Sequence, residues 1–228
     1  MLEPTPFYTP MRAVSLKAGF ALLLALVSSA VDAQPEVGFR TGANVSRSAP
    51  GVFLYGETRV GPAASVSVRV PVRGRLSLRP EVLYSSEGER LRAAPPDTVT
   101  FEDGSTSVFV DEGGSFRLDH VGVGAFLAYE VPVAGLAVEA YGGPAATAKV
   151  RERHVQRSNG ETSASGSSFF GRYAVTAVGG VTATRGPVGL DVRYAIGLTD
   201  ALNRGLILGG GVVRSSVATV ALVYRPGR

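Results

Sequence analysis

Apolar residues recur at every second position along most of this chain, and that period narrows the possible folds more than any other feature. A strand sends successive side chains to opposite faces, so period two means one apolar face and one polar face. In 186–198, Val188, Leu190, Val192, Tyr194, Ile196 and Leu198 share a face against Gly189, Asp191, Arg193, Ala195 and Gly197. In 75–85, Leu76, Leu78, Val82 and Tyr84 oppose Ser77, Arg79, Glu81 and Ser85. Segments 36–45, 63–70, 172–181 and 216–224 repeat the pattern, and 116–130 and 136–150 carry weaker versions. The β-branched and glycine content of 121–150 argues for strands there too. The total is eight candidate strands of about ten residues, the length of a tilted transmembrane strand.

The connections sharpen this reading. Residues 71–74, 131–135 and 183–187 are short and built from Pro and Gly, so they read as tight turns. Between them lie longer polar stretches, 47–57, 86–115, 151–168 and 199–211. Short turns alternating with long loops is the pattern of outer-membrane barrels. The expected fold is therefore all-β: an eight-stranded antiparallel transmembrane up-and-down β-barrel.

Period two does not say whether the apolar face meets lipid or a protein core, and a soluble β-sandwich alternates in the same way. Three features favour lipid. Charges of both signs sit in mid-strand on the polar face, at Arg69, Arg79, Glu81, Glu139, Arg172, Asp191 and Arg193, as a lumen charge network requires. Tyr84, Tyr129, Tyr173 and Tyr224 sit near strand ends on the apolar face, as in an aromatic girdle. The third is an export signal. Arg12 and Lys17 precede an apolar run, 18–27, and Val31 and Ala33 suit cleavage after Ala33. Residues 1–33 are thus expected to be a signal peptide, with Met11 as the true start, and 34–228 the barrel domain. An open sheet in lipid would leave its edge groups unsatisfied, so the strands must close.

Composition removes several function classes. Cysteine is absent, which excludes disulfides and thiolate metal sites. Net charge is +4, but the arginines are scattered along strands without interleaved aromatics or a known motif, so no nucleic-acid partner is expected. No cofactor or metal is expected either.

Four segments carry a family resemblance: GFRTGANVS at 38–46, LRPEVLY at 78–84, GGP at 142–144 and DVRYAIGL at 191–198. In this order they resemble the outer-membrane β-barrel domain family common in Bacteroidetes, the group that includes PorT-like proteins. The resemblance implies an eight-stranded barrel in the outer membrane and no particular activity. PorT-like members are associated with type IX secretion, a role that a family-level likeness does not transfer. Gly122 and Gly124 depart from the larger residues usual in the fourth strand.

Catalysis by a serine hydrolase needs a base beside the nucleophile. Neither His120 nor His154 has a serine in a His-x-Ser arrangement, so an enzyme is not expected unless a spatial neighbour supplies one. Loop 86–115 is acidic (Asp97, Glu102, Asp103, Asp111, Glu112) without EF-hand spacing. The run Lys149, Arg151, Arg153, Arg157 is basic, and reads as solvated or paired with the acidic loop, with lipid phosphate as the second reading. Eight strands leave an interior that side chains can fill. The leading expectation is a closed, non-enzymatic, monomeric barrel, surrounded by outer-membrane lipid and acting through its loops or through envelope or secretion-machinery proteins. A small-solute channel and a lipid-modifying enzyme are the alternatives.

Overall fold

A β-strand leaves N–H and C=O groups along both edges, and the chain settles where most of them find partners. The computed structural model describes residues 34–48, 56–93, 97–100, 106–109, 111–158, 161–165, 171–199 and 215–226. The expected signal segment 1–33 lies outside them. They form β1 (Glu36–Ser48), β2 (Gly56–Arg73), β3 (Leu76–Leu91), β4 (Asp97–Thr100), β5 (Thr106–Phe109), β6 (Asp111–Val133), β7 (Leu136–Ser158), β8 (Glu161–Ser165), β9 (Tyr173–Arg185), β10 (Val188–Gly197) and β11 (Ser215–Tyr224).

Nine strands make one antiparallel sheet in the order β6-β3-β2-β1-β11-β10-β9-β7-β8, and a β6–β7 pairing joins it into a ring. The first and last strands meet along a seam from Phe39↔Tyr224 to Ser48↔Ser215. β8 pairs with β7 over His154–Ser158, and β4 and β5 form a separate hairpin.

The turns are tighter than the proline-rich segments indicated. β2 runs through Pro71 to Arg73 with a register irregularity there, and the chain reverses at Gly74, at Ala134–Gly135 and at Gly186. Their φ values of 58°, 48° and 80°, and 57° have the sign that two-residue hairpin turns need to match strand twist. At the other end the strands run further than expected. β3, β6 and β7 continue through much of 86–115 and 151–168, pairing from Ser86↔Asp119 to Leu91↔Gly114. Hydropathy does not alternate in those polar stretches, but the backbone groups still pair.

Burial is inverted relative to a water-soluble domain. Leu127, Leu190 and Leu222 are each 57% exposed, whereas Arg79, Glu139 and Asp191 are at most 1% exposed. The apolar face therefore points out of the ring and the charged face into it. A small apolar cluster of Phe126, Ala128, Tyr141, Ala145 and Val178 fills part of the interior, with Leu83 and Ala195 against it. Gly124 belongs to this packing. A Cβ there would stand 2.4 Å from the Phe126 ring, which explains why no larger residue occupies the position.

Candidate functional site

Charged groups withdrawn from water are tolerated only when they are paired and hydrogen-bonded. The inward face of the ring meets that demand by placing arginines and carboxylates on facing strands. Glu81, on β3, accepts hydrogen bonds from Arg40 Nη1 at 2.5 Å and from Arg193 Nη1 and Nη2 at 2.7 and 3.3 Å. Asp191, on β10, accepts from Tyr141 Oη at 2.8 and 3.0 Å, from Thr182 Oγ1 at 2.6 Å and from Arg193 Nε at 3.3 Å. Glu139, on β7, accepts from Arg79 Nη1 at 2.6 Å and Arg225 Nη2 at 3.0 Å. Arg69 lies 3.4 Å from Glu139 and reaches Glu130 at 3.1 Å and Glu36 at 3.5 Å. Arg40, Arg69, Arg79, Arg193 and Arg225 thus face Glu36, Glu81, Glu130, Glu139 and Asp191, a balanced set. Beneath Arg79 lies the Tyr141 ring, 3.5 Å from the guanidinium carbon, where a cation–π contact serves the face of the group that makes no hydrogen bond.

Of the charged residues singled out from the sequence, Arg69, Arg79, Glu81, Glu139, Asp191 and Arg193 are brought together here. Arg172 is not, and that expectation is corrected. It has the inward parity of β9 but precedes the first strand residue, Tyr173, so it is exposed and lies 5.7 Å from the Tyr173 ring centre. Sequence reading missed Glu36 and Glu130, which pair with Arg69, and three further members. Arg40 stood on the polar face of the first strand and could have been included by parity. Arg225 continues the inward parity of β11 one residue beyond its end. Tyr141 was hidden because Ala140, Gly142, Pro144 and Ala146 on the outward face are smaller than it is, which reverses the usual hydropathy contrast.

Above the ion pairs, toward the long-loop end, the interior opens into a cavity of about 120 Å³ with Arg40 and Arg193 in its lining. A hydrogen-bond chain crosses its wall: Thr219 Oγ1 to Asn44 Oδ1 at 2.7 Å, Asn44 Nδ2 to Ser85 Oγ at 2.7 Å, and Ser85 Oγ to Glu87 Oε1 at 2.6 Å. His120 Nδ1 stands 4.0 Å from the same Glu87 oxygen. Ser85 is the direct cross-strand partner of His120, a serine neighbour that the sequence could not reveal. Glu87 stands between them, and no hydrogen bond joins Ser85 to His120 among the described residues. The pair faces the interior, not lipid. His154 also lies within the ring, stacked on Phe116 at 4.2 Å.

Tyr129, Tyr173 and Tyr224 point outward and are half or more exposed. Tyr129 and Tyr224 lie near the short-turn end, Tyr173 near the other. Tyr84, also toward the long-loop end, is half-buried beside Arg117 and Asp119. Among the described residues no group of three or more His, Asp or Glu side chains could hold a metal ion.

The outer membrane protein beta-barrel domain family matches residues 32–203. No curated protein matches the chain by sequence. Among solved structures, Neisserial surface protein A is similar at 16% identity and a TM-score of 0.44, covering 82% of this chain and 96% of that one. Ail, the attachment invasion locus protein of Yersinia pestis, is similar at 11% identity and a TM-score of 0.43, with 84% and 99% covered. The N-terminal barrel domain of Pseudomonas aeruginosa OprF is similar at 10% identity and a TM-score of 0.32, with 85% and 99% covered.

Proposed function

We propose, since this chain belongs to the outer membrane protein beta-barrel domain family, that it is a closed, non-enzymatic transmembrane barrel of eight strands that binds partners at its long-loop end. The observation that carries this reading is the balanced ion-pair layer across the interior. Glu81 and Asp191 are tied by Arg40 and Arg193, and Glu139 by Arg79 and Arg225, with Tyr141 wedged among them. A conducting pore needs a water-filled lumen, whereas these side chains fill the cross-section that eight strands enclose. The count of eight is supported by the pairing of β8 with β7 alone among the described strands, which leaves the other eight in the ring. Outward apolar side chains and the outward tyrosines support a lipid-facing band with an aromatic girdle.

Export through cleavage after Ala33, a monomeric state and contact with envelope proteins belong to the same proposal. The four resembling segments support a place near the Bacteroidetes PorT-like members, and no secretion role follows from them. The cavity above the ion layer favours a binding role over a conducting one, because it ends on Arg40 and Arg193.

Planar-bilayer recording of the purified protein tests the reading. The expected result is no steady large-conductance channel, together with a folded band that shifts on heating in SDS gels. Steady large channels would overturn the closed barrel in favour of a small-solute channel. Recovery as a soluble protein with no heat shift would overturn the barrel itself.

A further inference from the structure

On the long-loop side, β3, β6 and β7 rise beyond the outward apolar band, and their outer face changes character within a few residues. Val82, Val121, Val123 and Val150 are exposed apolar side chains. On β6 and β7 the next outward positions are charged, Asp119 and Arg117 on one and Arg151 and Arg153 on the other. A bulge pairs Asp119 with Arg151 but His120 with Lys149, leaving Val150 as the extra residue. Lys149 and Glu152 pair with each other, half-buried, whereas Arg151 and Arg153 are exposed. The basic run of the sequence is therefore divided between the two faces by one bulge.

The register then sets Arg153 directly opposite Arg117, a like-charge cross-strand pair that disfavours the sheet unless an anion lies between them. Arg59 lies in the field of Arg117, Asp119 and Arg90. Asp119 accepts from Arg117 Nε at 3.0 Å, which fixes that guanidinium and leaves the cluster cationic. On β10, the outer face at the same end is uncharged, with Tyr194, Ile196 and Leu198. The described outer face of β10 thus differs in charge from that of β6 and β7.

We propose that the Arg117–Arg151–Arg153 face of β6 and β7 binds the phosphate groups of an anionic phosphorylated glycolipid of the outer leaflet. Depth and chemistry both point to this ligand. The cluster begins two residues beyond Val121, where headgroup phosphates meet the apolar band, and guanidinium forks match phosphate oxygens. The inference rests on the outer-membrane reading and adds a ligand class and its residues.

The test is binding of purified, detergent-folded full-length protein to bisphosphorylated lipid A, to the same lipid dephosphorylated, and to the first lipid with excess inorganic phosphate. Wild type is expected to prefer the phosphorylated lipid by about tenfold or more. The R117Q/R151Q/R153Q variant is expected to lose that preference, while R73Q/R75Q/R185Q at the short turns keeps it. Inorganic phosphate is expected not to displace the lipid. An unchanged preference in the first variant overturns the proposal, as does full displacement by inorganic phosphate, which would mark a site for the free ion. A normal heat shift of each variant on SDS gels shows that the barrel stands even where the lipid proposal fails.

Discussion

Replacing Glu81 by glutamine keeps the size of the side chain and removes its charge, so it isolates the contribution of the ion layer. Glu81 takes one hydrogen bond from Arg40 and two from Arg193, with Arg79 Nε a further 3.8 Å away. A hydrogen bond to a charged group contributes about 1.5–3 kcal/mol net, and a neutral one about 1 kcal/mol. Glutamine offers one acceptor oxygen and turns its NH₂ toward a guanidinium, so about two of the three contacts are lost and the third weakens. The expected loss is about 3–5 kcal/mol, the range found when one half of a buried pair is removed. The chain has no tryptophan. Urea unfolding is therefore best followed by far-UV circular dichroism and by the fraction running as the folded band on unheated gels. Adding Arg193→Gln should cost less than the sum of the single changes by at least about 1 kcal/mol, because the second change removes a cation left without its partner. An unchanged midpoint for Glu81→Gln, or an additive double variant, would refute the reasoning. It would mean that water in the lumen already solvates these charges.

Three further outcomes follow from the same packing. Tyr141→Phe should cost about 1.5–3 kcal/mol in the same unfolding assay by removing the donor to Asp191 while keeping the ring under Arg79; no change would show that Thr182 and Arg193 suffice. Leu222→Arg, on the outward face opposite Leu190, should destabilise the barrel in lipid vesicles by about 2–4 kcal/mol if it lies near the midplane, and a neutral effect would remove lipid from that face. Gly42→Ala places a Cβ 2.1 Å from the Val220 carbonyl oxygen at the β1–β11 seam. It should lower stability by about 1–3 kcal/mol, read as a smaller folded fraction on unheated gels.

The eight long strands were legible because lipid-facing and interior-facing positions differ in polarity wherever both faces carry large side chains, as in Val188–Gly197. Legibility failed where size and polarity part company. Tyr141 is larger and more apolar than its small outward neighbours, so polarity did not mark it as the interior wedge that it is. It failed again where parity is right and height is wrong, as at Arg172. Bulges are a third cause. The shift at Asp119–His120 sends Lys149 inward and Arg151 outward, and nothing in the run of basic residues announces it. Ser85 and His120 are 35 positions apart, and only the β3–β6 register makes them neighbours.

The ion layer also bears on how the chain reaches its final register. Arg193 finds Glu81 across 112 residues, Arg225 finds Glu139 across 86, and Thr219 finds Asn44 across 175. A sheet lacking β10 and β11 leaves Glu81 with Arg40 but without Arg193, and Glu139 without Arg225, so its interior charge is out of balance until the first and last strands join. A one-residue slip at that seam would turn Arg40 out toward lipid and Phe39 into the interior. Charge balance among the described interior residues thereby favours the native seam: a closure out of register strands ions that the native pairing ties.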